Sequence, residues 1–379
     1  LALSVMSLMV AMVGLLVWYT LVKNKEITLD SVRTELEIVL QNTMERNDSW
    51  MKEHLSLLAQ VGRDPELVAL TKRLLDVPPD PLSLQQSVPL GEARAFVTKR
   101  ERELGKIGFF IINHDSISIG SRRNTNLGTK NLIAQIKPEL LDQAFKGEPV
   151  FIPPIRSDVH LSGEIGAPKG STEKPFTMFF AVPIKDVDGT VLAVLTQRLA
   201  PEDQMSLVMH SGRIGHTGES YMVDPEGRMI TTSRFQHQLF KIGLLDREQG
   251  SNSTLSLRDP GVNLLEGGQP AKLRSEEPLT RMAGDLLRLA SEIADTKIFK
   301  EHSEIVVDID GYRDYRGVPV FGAWMWEPHL GLGITTEIDV DEALHGYNVL
   351  RLNLLIISGL TLLFTIIATL LSLMLGERA

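Results

Sequence analysis

Side chains able to do chemistry are few in this sequence, and they gather at the ends of strand-like runs. Arg122, Arg123 and Asn124 follow one short hairpin pattern, and Asp186 and Asp188 lie in Lys-Asp-Val-Asp-Gly between two apolar runs. Paired arginines suit a carboxylate, because a guanidinium donates to both oxygens at once. The competing reading is two solvated basic residues at a hairpin end. Asp186-Val-Asp-Gly189 has the opening of a calcium loop, but such a loop needs further oxygen ligands and a distant Glu, so a plain turn is expected. The nine histidines are scattered, none at metal-binding spacing, and no metal or cofactor is expected. His54 and His345 fall in helical patterns, as surface or dimer-contact residues. No Gly-x-Ser-x-Gly elbow, phosphate loop or dinucleotide fingerprint occurs, and Gly331-Leu-Gly333 lacks the third glycine. The residue types point to binding rather than catalysis.

The elements that must position these groups are bracketed by two apolar runs. Leu1 to Val22 has no charge, and neither has Leu354 to Leu375. Each is long enough to cross a hydrocarbon core about 30 Å thick. No small-residue cleavage site follows Val22, so the first run reads as a retained anchor. All charged side chains except Glu377 and Arg378 lie between them, and the whole chain carries a net charge of -9. So acidic a segment does not suit nucleic acid. There is no cysteine, which removes thiol chemistry and fits a bacterial periplasm, with a cytoplasmic loop as the other placement. The sequence lacks an initiator Met and stops just past the second run, so an output domain is expected after Ala379.

Neither Gly nor Pro interrupts the stretch between Gly14 and Gly62, which predicts one helix roughly 70 Å long at ~1.5 Å per residue. Leu29, Val32, Leu36, Val39, Leu40, Met44, Met51, Leu55, Leu58 and Val61 step by three and four along it. That stripe could pack on its own domain, or in part against a second copy in a parallel homodimer. Asp64 and Pro65 read as the N-cap and first residue of the next helix. The residues from Ile107 to Asn113 and from Ser116 to Ile119 read as a hairpin. Residues 138–145 read as a helix, residues 149–154 as an edge strand because of their prolines, and residues 156–174 as a polar loop. Phe176–Ile184 and Thr190–Leu199 form a strong hairpin.

A second copy of this layout follows. Glu219–Asp224 and Arg228–Arg234 repeat the first hairpin, and residues 318–338 repeat the second. The second copy carries an insertion at about 245–302, with an amphipathic helix marked by Leu279, Met282, Leu286, Leu289 and Ile293. Gly311–Gly317 reads as turn chemistry whose tyrosines and arginines either line a second pocket or pack as a hairpin entry. Trp324 and Trp326 read as core. Asp339 and Asp341 suit a helix cap, and the helix after them becomes the second apolar run.

Arg213-Ile-Gly-His-Thr-Gly-Glu-Ser-Tyr-Met-Val-Asp-Pro-Glu-Gly227 and Asp310-Gly-Tyr-Arg-Asp-Tyr-Arg-Gly-Val-Pro-Val320 carry a resemblance. Together with the order of elements, they resemble the double-Cache sensor region of bacterial transmembrane receptors. The resemblance implies an α+β fold: tandem PAS-like antiparallel-sheet domains behind a long N-terminal helix, flanked by two transmembrane helices. The expected division is a span at 1–22, helices at 23–105 and a membrane-distal domain at 106–205. A membrane-proximal domain follows at 206–340, then a helix running into the second span at 341–376. The implied setting is the bacterial inner membrane with the central part in the periplasm. The implied function is sensing a small molecule and moving a helix that drives a cytoplasmic histidine kinase, nucleotide or diguanylate cyclase, or chemotaxis transducer. The resemblance places the ligand in the distal domain, where Arg122, Arg123, Asn124, Asp186 and Asp188 are the candidate contacts. The amino-acid-sensing subgroup carries an Arg-x-Trp-Tyr type run that is missing after Arg122, so an amino-acid ligand does not follow. A homodimer through the N-terminal helix and the spans is expected. The alternative is a membrane-anchored scaffold that binds a protein partner and sends no signal.

Overall fold

A computed structural model describes residues 2–104, 108–157, 176–245, 255–296 and 303–376. The uninterrupted helical pattern produces α1 (Ala2–Gly62), a single helix of 61 residues. Its end is defined by the chemistry expected: Asp64 accepts from the Glu66 amide, and Pro65 opens α2 (Pro65–Leu75). Two further helices, α3 (Pro81–Gln86) and α4 (Val88–Leu104), complete a helical layer.

The first sheet contains β1 (Gly108–Ile112), β2 (Ser118–Ser121), β3 (Val150–Arg156), β4 (Phe176–Lys185) and β5 (Val191–Leu199), in the order β2-β1-β5-β4-β3. All its pairings are antiparallel. The proline-rich strand β3 is at the edge, where a missing amide donor costs nothing. Residue alternation sorts the two faces. Phe109, Ile111, Phe180, Val182 and Leu195 meet α1, α2 and α4. Phe110, Ile112, Phe179, Ala181 and Val194 meet α5 (Leu132–Ile136) and α6 (Pro138–Phe145). All but residues 156 and 157 of the stretch read as a polar loop lies outside the described residues.

After α7 (Pro201–Ser211) comes a second sheet of β6 (Glu219–Val223), β7 (Val306–Arg313), β8 (Pro319–Glu327) and β9 (Leu332–Asp339), in the order β6-β9-β8-β7. Substituting β1, β5, β4 and β3 for these four strands gives the order of the first sheet without its edge strand β2. The duplication inferred from two short sequence matches is therefore present in the topology. One face meets α1 and α7 through Met222, Phe321, Ala323, Ile334 and Ile338. The other meets α8 (Gln236–Lys241) and α9 (Arg281–Thr296), the amphipathic helix of the insertion.

Two expectations are corrected here. The return strand expected at Arg228–Arg234 is reduced to isolated bridges, Val223 to Met229 and Arg228 to Ser256. Side chains replace the ladder: the Thr231 hydroxyl takes the Met222 amide at 3.1 Å, and Ser206 takes the Thr232 amide at 2.7 Å. Gly311, read as the start of a turn, instead sits at a bulge inside β7 with φ +91°, and the turn begins at Asp314.

The apolar stripe of α1 is shared between the two sheets. Val32, Leu36 and Leu40 enter the proximal core, and Leu58 and Val61 the distal one. A fully buried Leu contributes about 1.5–3 kcal/mol, so this helix is a structural spine for both units. The stripe packs along its length against the two cores of its own chain. His54, expected at the surface or a dimer contact, stacks on Phe180 at 5.3 Å. Where the two cores meet, Thr43 and Asn47 interrupt the stripe, both fully buried, and Thr43 Oγ1 and Asn47 Oδ1 have no hydrogen-bond partner among the described residues.

From β9 the chain passes into α10 (Val340–Ala343) and then α11 (His345–Gly376). The helices α1 and α11 are the two that are long and apolar enough to cross a membrane among the described residues. They lie side by side, with the Thr369 hydroxyl 3.2 Å from Met6 Sδ.

Candidate ligand site and coupling face

On the α5/α6 side of the first sheet, the apolar surface turns polar toward one end of the strands. Arg198 there lies opposite Phe179 on β4 and Gly108 on β1. Its Nε donates to Thr177 Oγ1 at 2.8 Å and its Nη2 to the buried Ser157 Oγ at 2.9 Å. A Cβ on Gly108 would come within 3.1 Å of the Arg198 side chain, so the glycine lets the arginine lie across β1. Thr196, two residues back on the same face, takes the Phe110 amide at 3.2 Å. The group is a guanidinium set among hydroxyls at the edge of an apolar core. It is suited to an anion carrying an apolar body.

The five residues singled out in the sequence divide between the two ends of this sheet. Arg122, Arg123 and Asn124 follow Ser121, which pairs with Phe110 at the Arg198 end. Asn124 is engaged by Arg94, whose Nη2 donates to Oδ1 at 2.7 Å, and the Arg123 amide donates to Ser121 Oγ. Asp186 and Asp188 lie beyond Lys185 and Val191, at the opposite end. Asp186 takes the Lys72 ammonium at 2.7 Å, and this hydrogen bond holds its carboxyl below the usual range. Asp188 takes the Thr190 amide, so the pair forms a hairpin turn. The five therefore do not converge on one site. Arg198 was missed by the sequence reading, although one signal was available. It stands in the inward-facing register of Val194 and Thr196, where an apolar strand rarely carries a charge.

The corresponding face of the second sheet is built from acids and tyrosines. Glu219 on β6 and Glu337 on β9 are direct cross-strand partners, and both are buried. Tyr221 donates to Glu337 Oε2 at 2.7 Å and Tyr312 to Oε1 at 2.5 Å. Tyr315 donates to Glu219 Oε2 at 2.6 Å, and Ser233 to Oε1 at 2.7 Å. Gly322 makes this possible, because a Cβ there would meet the Tyr312 hydroxyl at 2.2 Å. Burial pushes the Glu337 carboxyl up to about 8, aided by the Asp314 charge and opposed by the two tyrosine hydroxyls. Burial also drives Tyr221, Tyr312 and Tyr315 well above the ordinary tyrosine range, with the nearby carboxylates adding to it. The tyrosines of Gly311–Gly317 thus pack as a hairpin entry, and Trp324 and Trp326 are core as expected.

Arg316, buried within this hairpin, ties the sheet to the helix that leaves it. Its Nε donates to Asp314 at 2.6 Å, its Nη2 to Asp339 at 2.9 Å and its Nη1 to Gln238 at 3.1 Å. Burial works against its charge, but Asp314, Tyr315 and Asp339 outweigh that and raise its pKa. Asp339 occupies the N-cap position of α10, yet its carboxylate is given to Arg316 rather than to the helix amides. Burial raises the Asp339 pKa, partly offset by Arg316. On α10 itself, Glu342 takes the His216 and Thr217 amides, both at 2.6 Å, and the Thr217 hydroxyl at 2.5 Å. These bonds outweigh the effect of burial and lower its pKa.

No protein-family model matches the sequence, and no curated protein matches it. Among solved structures, the sensor domain of the V. cholerae histidine kinase DctB is 13% identical, with 83% of this chain and 98% of that one covered at a TM-score of 0.43. The ligand-binding domain of the Campylobacter jejuni chemoreceptor Tlp3, in complex with L-valine, is 10% identical over 86% and 98% at 0.42. That of the Pseudomonas aeruginosa PAO1 amino acid chemoreceptor PctB, in complex with L-Arg, is 12% identical over 86% and 92% at 0.41. The fold rests on the two strand orders. By that topology the chain is α+β, a tandem of antiparallel sheets on one long helix, and it resembles double-Cache sensor regions.

Proposed function

We propose that this chain is the sensory part of a bacterial inner-membrane receptor. Its central units lie in the periplasm, its distal unit binds a small anionic molecule, and α11 carries the response to a cytoplasmic output domain. The observation that carries this reading is the continuity of β9 with α10 and α11, clamped by Arg316–Asp339 and by Glu342 on the 216–217 loop. A change in the distal unit reaches the proximal sheet through α1, which packs in both cores, and β9 then moves a membrane-length helix directly. A differential affinity of a few kcal/mol between two helix positions is enough to switch such an output. In the distal unit Arg198 is the anchor, with Arg122 and Arg123 bordering the same end of the sheet. A histidine kinase is the first output to look for after Ala379, and a dimer through the spans would double the moving helix.

The chain has no cysteine, so a single engineered pair reports on these two helices alone. Met6→Cys with Thr369→Cys places two thiols where α1 and α11 touch. Small carboxylates are screened for a rise in melting temperature of the full chain in nanodiscs. A carboxylate that raises it should also change the rate at which the two introduced thiols form a disulfide, and Arg198→Ala should remove both effects. An unchanged crosslinking rate at saturating carboxylate would sink the signalling reading.

A further inference from the structure

A second cleft, outside the distal site, lies on the membrane-proximal unit. It runs between α8 with its following turn and the segment 264–277, and it encloses about 840 Å³. That is the size of a small-molecule site, which spans roughly 300–1,000 Å³. One wall is apolar, from Ile242, Leu244, Leu264, Leu265 and Leu273. Leu273, 71% exposed, presents its side chain at the cleft.

The charges in the cleft have one sign left over. Its one carboxylate, Glu277, is held by Arg274 Nη1 at 2.7 Å. Arg274 in turn donates to the carbonyls of Arg258 and Ser256, which fixes it as part of the wall. Lys241 and Lys272 remain, and neither has an ion pair among the described residues. Two ammonium groups beside a leucine-lined trough complement an amphipathic anion, in a protein whose net charge is -9.

Gln238 gives the cleft a route to the membrane. It lines the cleft, and its side-chain carbonyl accepts from Arg316, which also holds Asp339 at the start of α10. We infer that this cleft is a second ligand site, for an aliphatic carboxylate, coupled through Gln238 and Arg316 to the output helix. The carboxylate pairs with Lys241 and Lys272, and the chain lies along Leu264, Leu265 and Leu273.

The test is calorimetric titration of the full chain in nanodiscs with hexanoate, hexylamine and inorganic phosphate. Hexanoate should bind at least tenfold more tightly than either of the other two. Lys241→Glu with Lys272→Glu should weaken hexanoate by tenfold or more; both side chains are exposed, so the fold is retained. Lys52→Glu with Lys99→Glu, the same charge change at two exposed lysines outside the cleft, should leave hexanoate affinity unchanged. Phosphate binding as tightly as hexanoate would overturn the ligand class. Hexanoate bound equally by the lysine variant, or not bound at all, would overturn the site.

Discussion

The two sheets share one strand order and one helical spine, yet the equivalent faces are opposites in chemistry. The distal face sets a single guanidinium, Arg198, among hydroxyls at the margin of an apolar core. The proximal face sets two facing carboxylates, Glu219 and Glu337, and caps them with three tyrosine hydroxyls. The difference teaches that topology fixes which positions share a face, while the inward side chains decide what chemistry that face presents. The proximal face is filled, and its remaining polar contacts point toward the helix that leaves for the membrane.

The strongest way to break this comparison is to remove Arg316. Arg316→Ala leaves the buried Asp314 and the half-buried Asp339 without their guanidinium, and should destabilise the chain by about 3–5 kcal/mol in thermal or urea unfolding. A loss under about 1 kcal/mol, the worth of an exposed pair, would show that the proximal network is not what holds α10 to its sheet.

Next in size is a pH dependence that belongs to the proximal face. The folded state holds the Glu337 proton more tightly than an unfolded chain, where a glutamate titrates near 4.5. Stability from this group is therefore fullest below pH 4.5 and is lost as pH rises toward about 8. At ~1.36 kcal/mol per pH unit the loss is a few kcal/mol. The difference in melting temperature between the native chain and Glu337→Gln should slope across that window and flatten above it. Parallel curves would refute the assignment.

A smaller effect sharpens the same face. Gly322→Ala displaces the Tyr312 hydroxyl from Glu337 and should cost about 1–3 kcal/mol, the range for a buried polar group losing its partner. A second substitution, Tyr312→Phe, in the same chain should add little, because the two act on one hydrogen bond. Fully additive losses would mean that the glycine serves some other contact.

The smallest expected change lies where the two units meet on α1. Thr43→Val replaces a buried hydroxyl that has no partner among the described residues with a methyl of similar shape, and should be neutral or stabilise by up to about 1 kcal/mol. A clear destabilisation would place Thr43 in a polar contact at the junction.

Much of this was legible in the sequence, for reasons that are local. Periodicity and the missing Gly and Pro specified α1, since helix continuation depends on neighbours along the chain. Alternating apolar runs with turn residues specified the hairpins of β4–β5 and β8–β9, and two long uncharged runs specified the membrane-length helices. The order of these runs was enough to expose the duplication. What tertiary structure alone decided was which residues from distant strands share a face and an end of a sheet. It separated Arg122 from Asp186, set Arg198 beside Ser157, and made Glu219 face Glu337 from a strand far along the chain. Those outcomes depend on ladder register, where a shift of one residue reverses every side chain, and no spacing within a single segment encodes that.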